Sequence, residues 1–227
     1  MRQLLLALTL LIACHLPLAG QQYPTIYLEY SPPFEARCRA MSDIEVPAAW
    51  EDELLARFDE FQEAWDAVGL TLLQAVVEQV GRPFRERDIT GILTLCGGGA
   101  ISLPLLIGAE DYLVSASGDD AAPLSGFPHV VFHEVLHYYV VDWLRDAMEG
   151  GVAPALFEKY QNEPPLVLNH LHLTALLKEV YLELELPDAL ALMEANYRRL
   201  GRGYARALEI VNEIEGHEAF LSELRGS

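Results

Sequence analysis

The sequence predicts an α+β fold. Short, β-prone apolar runs broken by glycine or proline fill much of the first half, and helical periodicity dominates the second. Joining the two halves is an apolar segment, "VVFHEVLHYYV" (130–140), that carries three titratable side chains in little more than one turn. The expected architecture is a small mixed sheet packed on an N-terminal amphipathic helix and on the helix through 130–140, followed by a helical C-terminal part.

The elements follow in order. "YPTIYLEYSPP" is a strand stopped by Pro32 and Pro33. Over 47–80, Trp50, Leu54, Phe58, Phe61, Trp65, Val68 and Leu72 recur at steps of three and four, one apolar helical stripe with Glu51, Asp52, Asp59, Glu60, Glu63 and Asp66 on the other faces. Pro47 suits its first turn, and Gly81 and Pro83 end it. "DITGILTLC", "AISLPLLIG" and "EDYLVSAS" read as strands, Pro104 keeping the second away from the centre of a sheet. "CGGGA" (96–100) lacks the Lys-Ser/Thr of a phosphate loop and reads as a glycine turn. A helix beginning near Pro128 should run to Gly150-Gly151. After a short helix and Pro164-Pro165, another long helix covers 168–186, with Asn169 as its cap. The remainder to Arg225 is helical. There is no internal repeat and no low-complexity segment.

The N-terminus has a separate logic. Arg2, the apolar run Leu4 to Ala13, and the small pair Ala19-Gly20 before "QQ" have the layout of a signal peptide cleaved after Gly20, too short to span a bilayer. A lipobox at "LIAC", with Cys14 as the lipid-bearing residue, is the alternative. The expected division is therefore 1–20 as signal and 21–227 as one domain, its sheet and active helix reaching to about 150 and a helical subdomain covering 151–227. The expected location is secreted or periplasmic, or lipid-anchored in the envelope through Cys14. Export leaves Cys38 and Cys96 in a disulfide-permitting compartment, where they are expected to pair.

The 227-residue chain has 52% hydrophobic and 22% charged residues, as in a folded globular protein, and a formal charge of −19. Cleavage after Gly20 would leave 14 basic against 34 acidic side chains, −20. Such a molecule is repelled by nucleic acid and by anionic membrane surfaces, and neither is an expected partner.

On a helix, His133 and His137 lie one above the other, so both imidazoles can reach one ion. Neutral imidazole is a good ligand for Zn2+, and Glu134, about 100° round from His133, is free to take a proton from a water on that ion. Shuffling this composition yields roughly 0.02 occurrences of His-Glu-x-x-His. The flanking Val131, Phe132, Val135, Leu136, Tyr138 and Tyr139 carry no charge, unlike a surface helix that shows the same letters by accident.

"HEVLH" resembles the active helix of the zincin metallopeptidases, and "DYLVSAS" resembles the edge strand that lies beside an extended substrate in that fold. The metzincin pattern would need Gly at 140 and His at 143, where this chain has Val140 and Trp143. The likeness is closer to the gluzincins, although Asn162-Glu163 precedes two prolines and does not take up that family's helical Asn-Glu pair. The resemblance implies a peptidase acting on a peptide or protein substrate, with Glu134 as general base.

A site of this kind takes a third protein ligand and leaves the fourth position to water. The clustering of histidines points to His172, and the gluzincin likeness to Glu179, two turns along the same face; His170 is the remaining candidate. His129, one turn before His133, reads as a helix-start surface residue. Tyr138 and Tyr139 could donate to an oxyanion but read first as core. His217-Glu218 lacks a second histidine and is assigned nothing. Two other classes compete: a zinc-binding protein without turnover, closed by a fourth ligand such as His170 or His129, and a lipid-anchored interaction module built on the acidic helix.

Overall fold

The computed structural model describes residues 22–42 and 44–226. The segment expected to be a signal, with Cys14 and Gly20, lies outside the described residues.

The fold is α+β. Four strands, β1 (Thr25–Tyr30), β2 (Asp88–Thr94), β3 (Ala100–Ile101) and β4 (Leu105–Gly108), form one mixed sheet in the order β1-β2-β4-β3. β1 pairs parallel with β2 and β2 with β4, while β3 runs antiparallel to β4 at the edge. β1 alternates as expected of a half-buried strand: Ile26 and Leu28 point inward, while Thr25, Tyr27 and Glu29 stay exposed. "AISLPLLIG" proves to be two strands. Pro104 falls in the turn between them, so that β4, free of proline, occupies an interior position. The glycine turn stands between β2 and β3, with Gly97 and Gly99 at φ 102° and 93°, a region that favours glycine.

Between β1 and β2 come α1 (Pro32–Ser42), α2 (Ala48–Ala56) and α3 (Phe58–Val80). The single helix expected over 47–80 is interrupted at Arg57, whose guanidinium pairs with Glu53 and Glu60 and donates to the Tyr112 carbonyl. The stripe carries across the break through Leu54, Phe61, Trp65 and Leu72, all buried, but Val68 faces solvent. The neighbouring position facing inward is Gly69, where a Cβ would clash with the Trp65 ring.

"EDYLVSAS" is not a strand. Glu110–Tyr112 form a 3₁₀ turn and Val114–Ser117 a single helical turn, α4. The Glu53 carboxylate accepts hydrogen bonds from the Val114 and Ser115 amides, donors that a sheet would have needed. The edge strand that the zincin resemblance assigned to this segment is therefore absent from it, and the sheet's edge beside α5 (Phe127–Glu149) is β3.

The helical part continues with α6 (Ala155–Lys159), α7 (Pro165–Glu183), α8 (Pro187–Leu200), α9 (Arg202–Glu209), a π-turn over 210–214, and α10 (His217–Arg225). α7 begins three residues before the expected start. Pro165 fits the first turn, where its missing N–H costs nothing, and Asn169 lies inside the helix rather than capping it. α3, α5, α7 and the sheet share the main core, with Phe61 packed edge-on against Phe127 at 5.0 Å. A smaller apolar cluster joins α7 to α9 and α10 through Leu171, Ala207 and Phe220. Among the described residues no helix is long and apolar enough to cross a membrane.

Cys38 and Cys96 form a disulfide between α1 and the end of β2, closing a separation of 58 residues. Replacing both by serine should lower unfolding stability by about 2–4 kcal/mol, read as a reduced midpoint in urea. An unchanged midpoint would show that the crosslink does not constrain this fold.

Candidate metal centre

α5 presents His133 and His137 on one side, four residues apart, with their ring centroids 5.1 Å apart. The intervening Val135 and Leu136 are fully buried, which fixes the helix's rotation and hence the side its histidines occupy. The third member comes from α7 and is His170. Its ring centroid lies 5.3 Å from that of His133 and 4.8 Å from that of His137, and one ligand atom from each of the three residues falls within 4.8 Å of the others. Nitrogens around a tetrahedral ion stand about 3.3 Å apart, so the rings need only draw inward modestly to grip one.

The hydrogen bonds set the rings for this task. His170 Nδ1–H donates to the Leu166 carbonyl at 2.7 Å, one turn back on α7, which leaves Nε2 as the ring's lone-pair nitrogen. That Nε2 is buried and has no protein partner, a costly state that a bound cation relieves. Tyr197 Oη lies 3.1 Å from His133 Nδ1 and can fix that ring in the same way. Burial holds all three histidines below their usual range, His137 at about 3, with the neighbouring imidazoles adding to the effect at His133 and His137. Neutral imidazoles are the form that ligates. The donor set therefore fits a divalent metal ion.

Glu134 sits beside the cluster, 8% exposed, with one carboxylate oxygen 3.9 Å from His133 Nε2. Ser102 Oγ, in the turn after β3, donates to the other oxygen at 2.8 Å. Burial pushes the Glu134 carboxyl up to about 7, partly offset by the Ser102 bond. Two cavities, about 540 and 300 Å³, meet here: Ala100, Glu134 and Tyr204 line both.

His172 and Glu179 do not join the cluster. Two residues past His170, His172 is turned about 200° round the helix and points away from the His133–His137–His170 cluster. Its Nε2 bonds Glu223 of α10 at 2.8 Å, and its ring lies between Trp143 and Phe220. Glu179 shares that face, as its spacing from His172 requires, and its carboxylate lies 3.3 Å from His217 and 3.6 Å from Arg225. The pair belongs to the α7–α10 junction. His129 is half-buried, its Nδ1 3.1 Å from Tyr181 Oη, and lines the larger cavity rather than reaching the cluster. Tyr139 donates its hydroxyl to the Arg82 carbonyl, away from the site. The residues that sequence reasoning passed over are Ser102, Tyr197 and Tyr204. Tyr204 packs on His170 at 4.5 Å between ring centroids. No local pattern flags any of them, because each reaches the site only through the tertiary packing of β3, α8 or α9.

Two measurements follow. Replacing His170 by alanine should abolish stoichiometric metal uptake, while replacing His172 should leave it intact; the reverse outcome would move the site to the other face of α7. The metal-free protein should also lose stability as pH falls below about 6.5. The folded histidines stay neutral where their unfolded counterparts take up protons. Glu134 acts in the opposite sense between about 4.5 and 7, since the folded state holds its proton longer. The three histidines outweigh the single carboxyl, so the net slope is a loss of stability as pH falls. Urea unfolding of chelated protein should show this slope, and the variant with all three histidines replaced by glutamine should lose it. Equal slopes in both would contradict the burial argument.

No family model, curated protein or solved structure matches the chain, so any functional conclusion rests on the chemistry of this centre.

Proposed function

We propose that the protein is a zinc-dependent hydrolase of peptide bonds, with His133, His137 and His170 as ligands and Glu134 as general base. The observation that carries this reading is the orphaned, buried Nε2 of His170, brought to the His-Glu-x-x-His turn of a separate helix beside a carboxylate that burial holds near pH 7. His133, His137 and His170 would hold zinc as three neutral imidazoles, and the ion would supply a bound water of near-neutral acidity.

The chain's own groups do the rest. Glu134 accepts the proton from the attacking water and delivers it to the leaving amine, a task suited to a carboxyl that titrates near the working pH. Ser102 holds one oxygen of that carboxylate, orienting the other towards the His133 side. Tyr204 lines both cavities, and burial raises its phenol, so it stays protonated and can donate to charge developing on the carbonyl oxygen. Among the described residues β3 ends the sheet with one backbone edge unpaired by a strand, which suits an extended polypeptide.

A metal site without turnover would need a fourth side chain to close it. The nearby His129 is engaged with Tyr181 and His172 with Glu223, which supports the open, catalytic reading. The disulfide is compatible with the oxidising compartment proposed for an exported protein.

Replacing Glu134 by glutamine should lower peptide hydrolysis by about 10²–10⁴-fold with one zinc still bound per chain. Undiminished hydrolysis by that variant would remove the mechanism.

A further inference from the structure

Resting on that reading, we propose that the site cleaves within polypeptide chains, at bonds flanked on both sides by uncharged apolar residues. The cleft does not stop at the metal centre. The cavity of about 540 Å³ lies on the His133 side, the cavity of about 300 Å³ on the His137 and His170 side, and the same three residues, Ala100, Glu134 and Tyr204, wall both. A bond placed over Glu134 therefore has room for chain in each direction, which is the geometry for internal cleavage rather than trimming of an end.

Charge decides what can occupy the two sides. Although the molecule carries 34 acidic residues, Glu134 is the one carboxylate lining the smaller cavity, and no lysine or arginine lines it. Its walls include Val140, Trp143, Leu144 and Phe157 beside the uncharged Ser102 and Asn169, so apart from Glu134 a charged side chain would find no opposite charge there. The larger cavity has Leu177, Tyr181 and Met193 among its lining, with Asp111 and Arg199 offering opposite signs that favour neither ion. Both lips are apolar as well. Ile101 and Leu103 are 57% and 54% exposed on the smaller cavity, and Leu192 and Leu200 47% and 54% exposed on the larger. Exposed apolar groups gathered on both sides of one cleft mark a binding surface that a substrate covers.

The experiment is digestion of a mixed library of unstructured peptides by the zinc-loaded full chain, with cleavage sites mapped by mass spectrometry. The expected result is internal cleavage, with Phe, Leu, Ile, Val or Met at least tenfold enriched over Asp, Glu, Lys and Arg on both sides of the bond. Val141 lines the smaller cavity on an exposed part of α5, so Val141→Lys should fold normally by circular dichroism and admit Asp or Glu at one flanking position at least tenfold better. Cleavage confined to chain ends, or indifferent to flanking charge, would overturn this inference and leave the hydrolase reading standing. No cleavage of any peptide by protein with a full complement of zinc would overturn both.

Discussion

The hydrogen bond from His170 Nδ1 to the Leu166 carbonyl carries more of this structure's logic than its size suggests. It uses a carbonyl one helical turn back on α7, and it settles which nitrogen of the ring keeps its lone pair. With that choice made, a nitrogen acceptor is buried between α5 and α7 with no protein donor to satisfy it. His133 and His137 bring further imidazoles to the same place, all held neutral by burial. An interior that gathers three such rings pays no penalty once a cation sits among them, and a considerable one otherwise.

The rest of the fold places and orients these groups. The fully buried Val131, Phe132, Val135 and Leu136 lock α5 in the main core, so the histidines have little freedom to rotate away. α7 divides its circumference between two duties: His170 serves the cluster, while His172 and Glu179 tie α10 in place through Glu223 and His217. The sheet contributes its short edge. β3 and the turn after it bring Ala100 and Ser102 against Glu134, and the disulfide anchors the start of that loop at Cys96. The carboxylate is thus supported from the sheet and the imidazoles from the helices, and the two cavities meet between them.

Much of this was legible in the sequence where a local pattern coincides with a physical constraint. The α5 helix and its two histidines on one side followed from spacing, its ends from Pro128 and Gly150-Gly151, β1 and β2 from β-prone runs bounded by turn residues, and the pairing of Cys38 with Cys96 from the two cysteines an exported chain would retain. The misreadings have physical causes. "EDYLVSAS" has strand-like letters, but its amides are taken by Glu53, a side chain some sixty positions away. The shared face of His172 and Glu179 was inferred correctly, yet that face turns to α10. α7 is apolar round most of its surface, so nothing in its own pattern says which side meets α5. Distinguishing His170 from its neighbour two positions on required knowing the packing.

The central claim is that three imidazoles, from α5 and α7, hold one metal ion with a position left for water. X-ray absorption at the zinc edge on the purified, metal-loaded protein tests it most directly. The account predicts one zinc per chain, surrounded by three histidine nitrogens at about 2.0–2.1 Å and one oxygen. A shell of four protein ligands, or failure to take up zinc stoichiometrically, would contradict it.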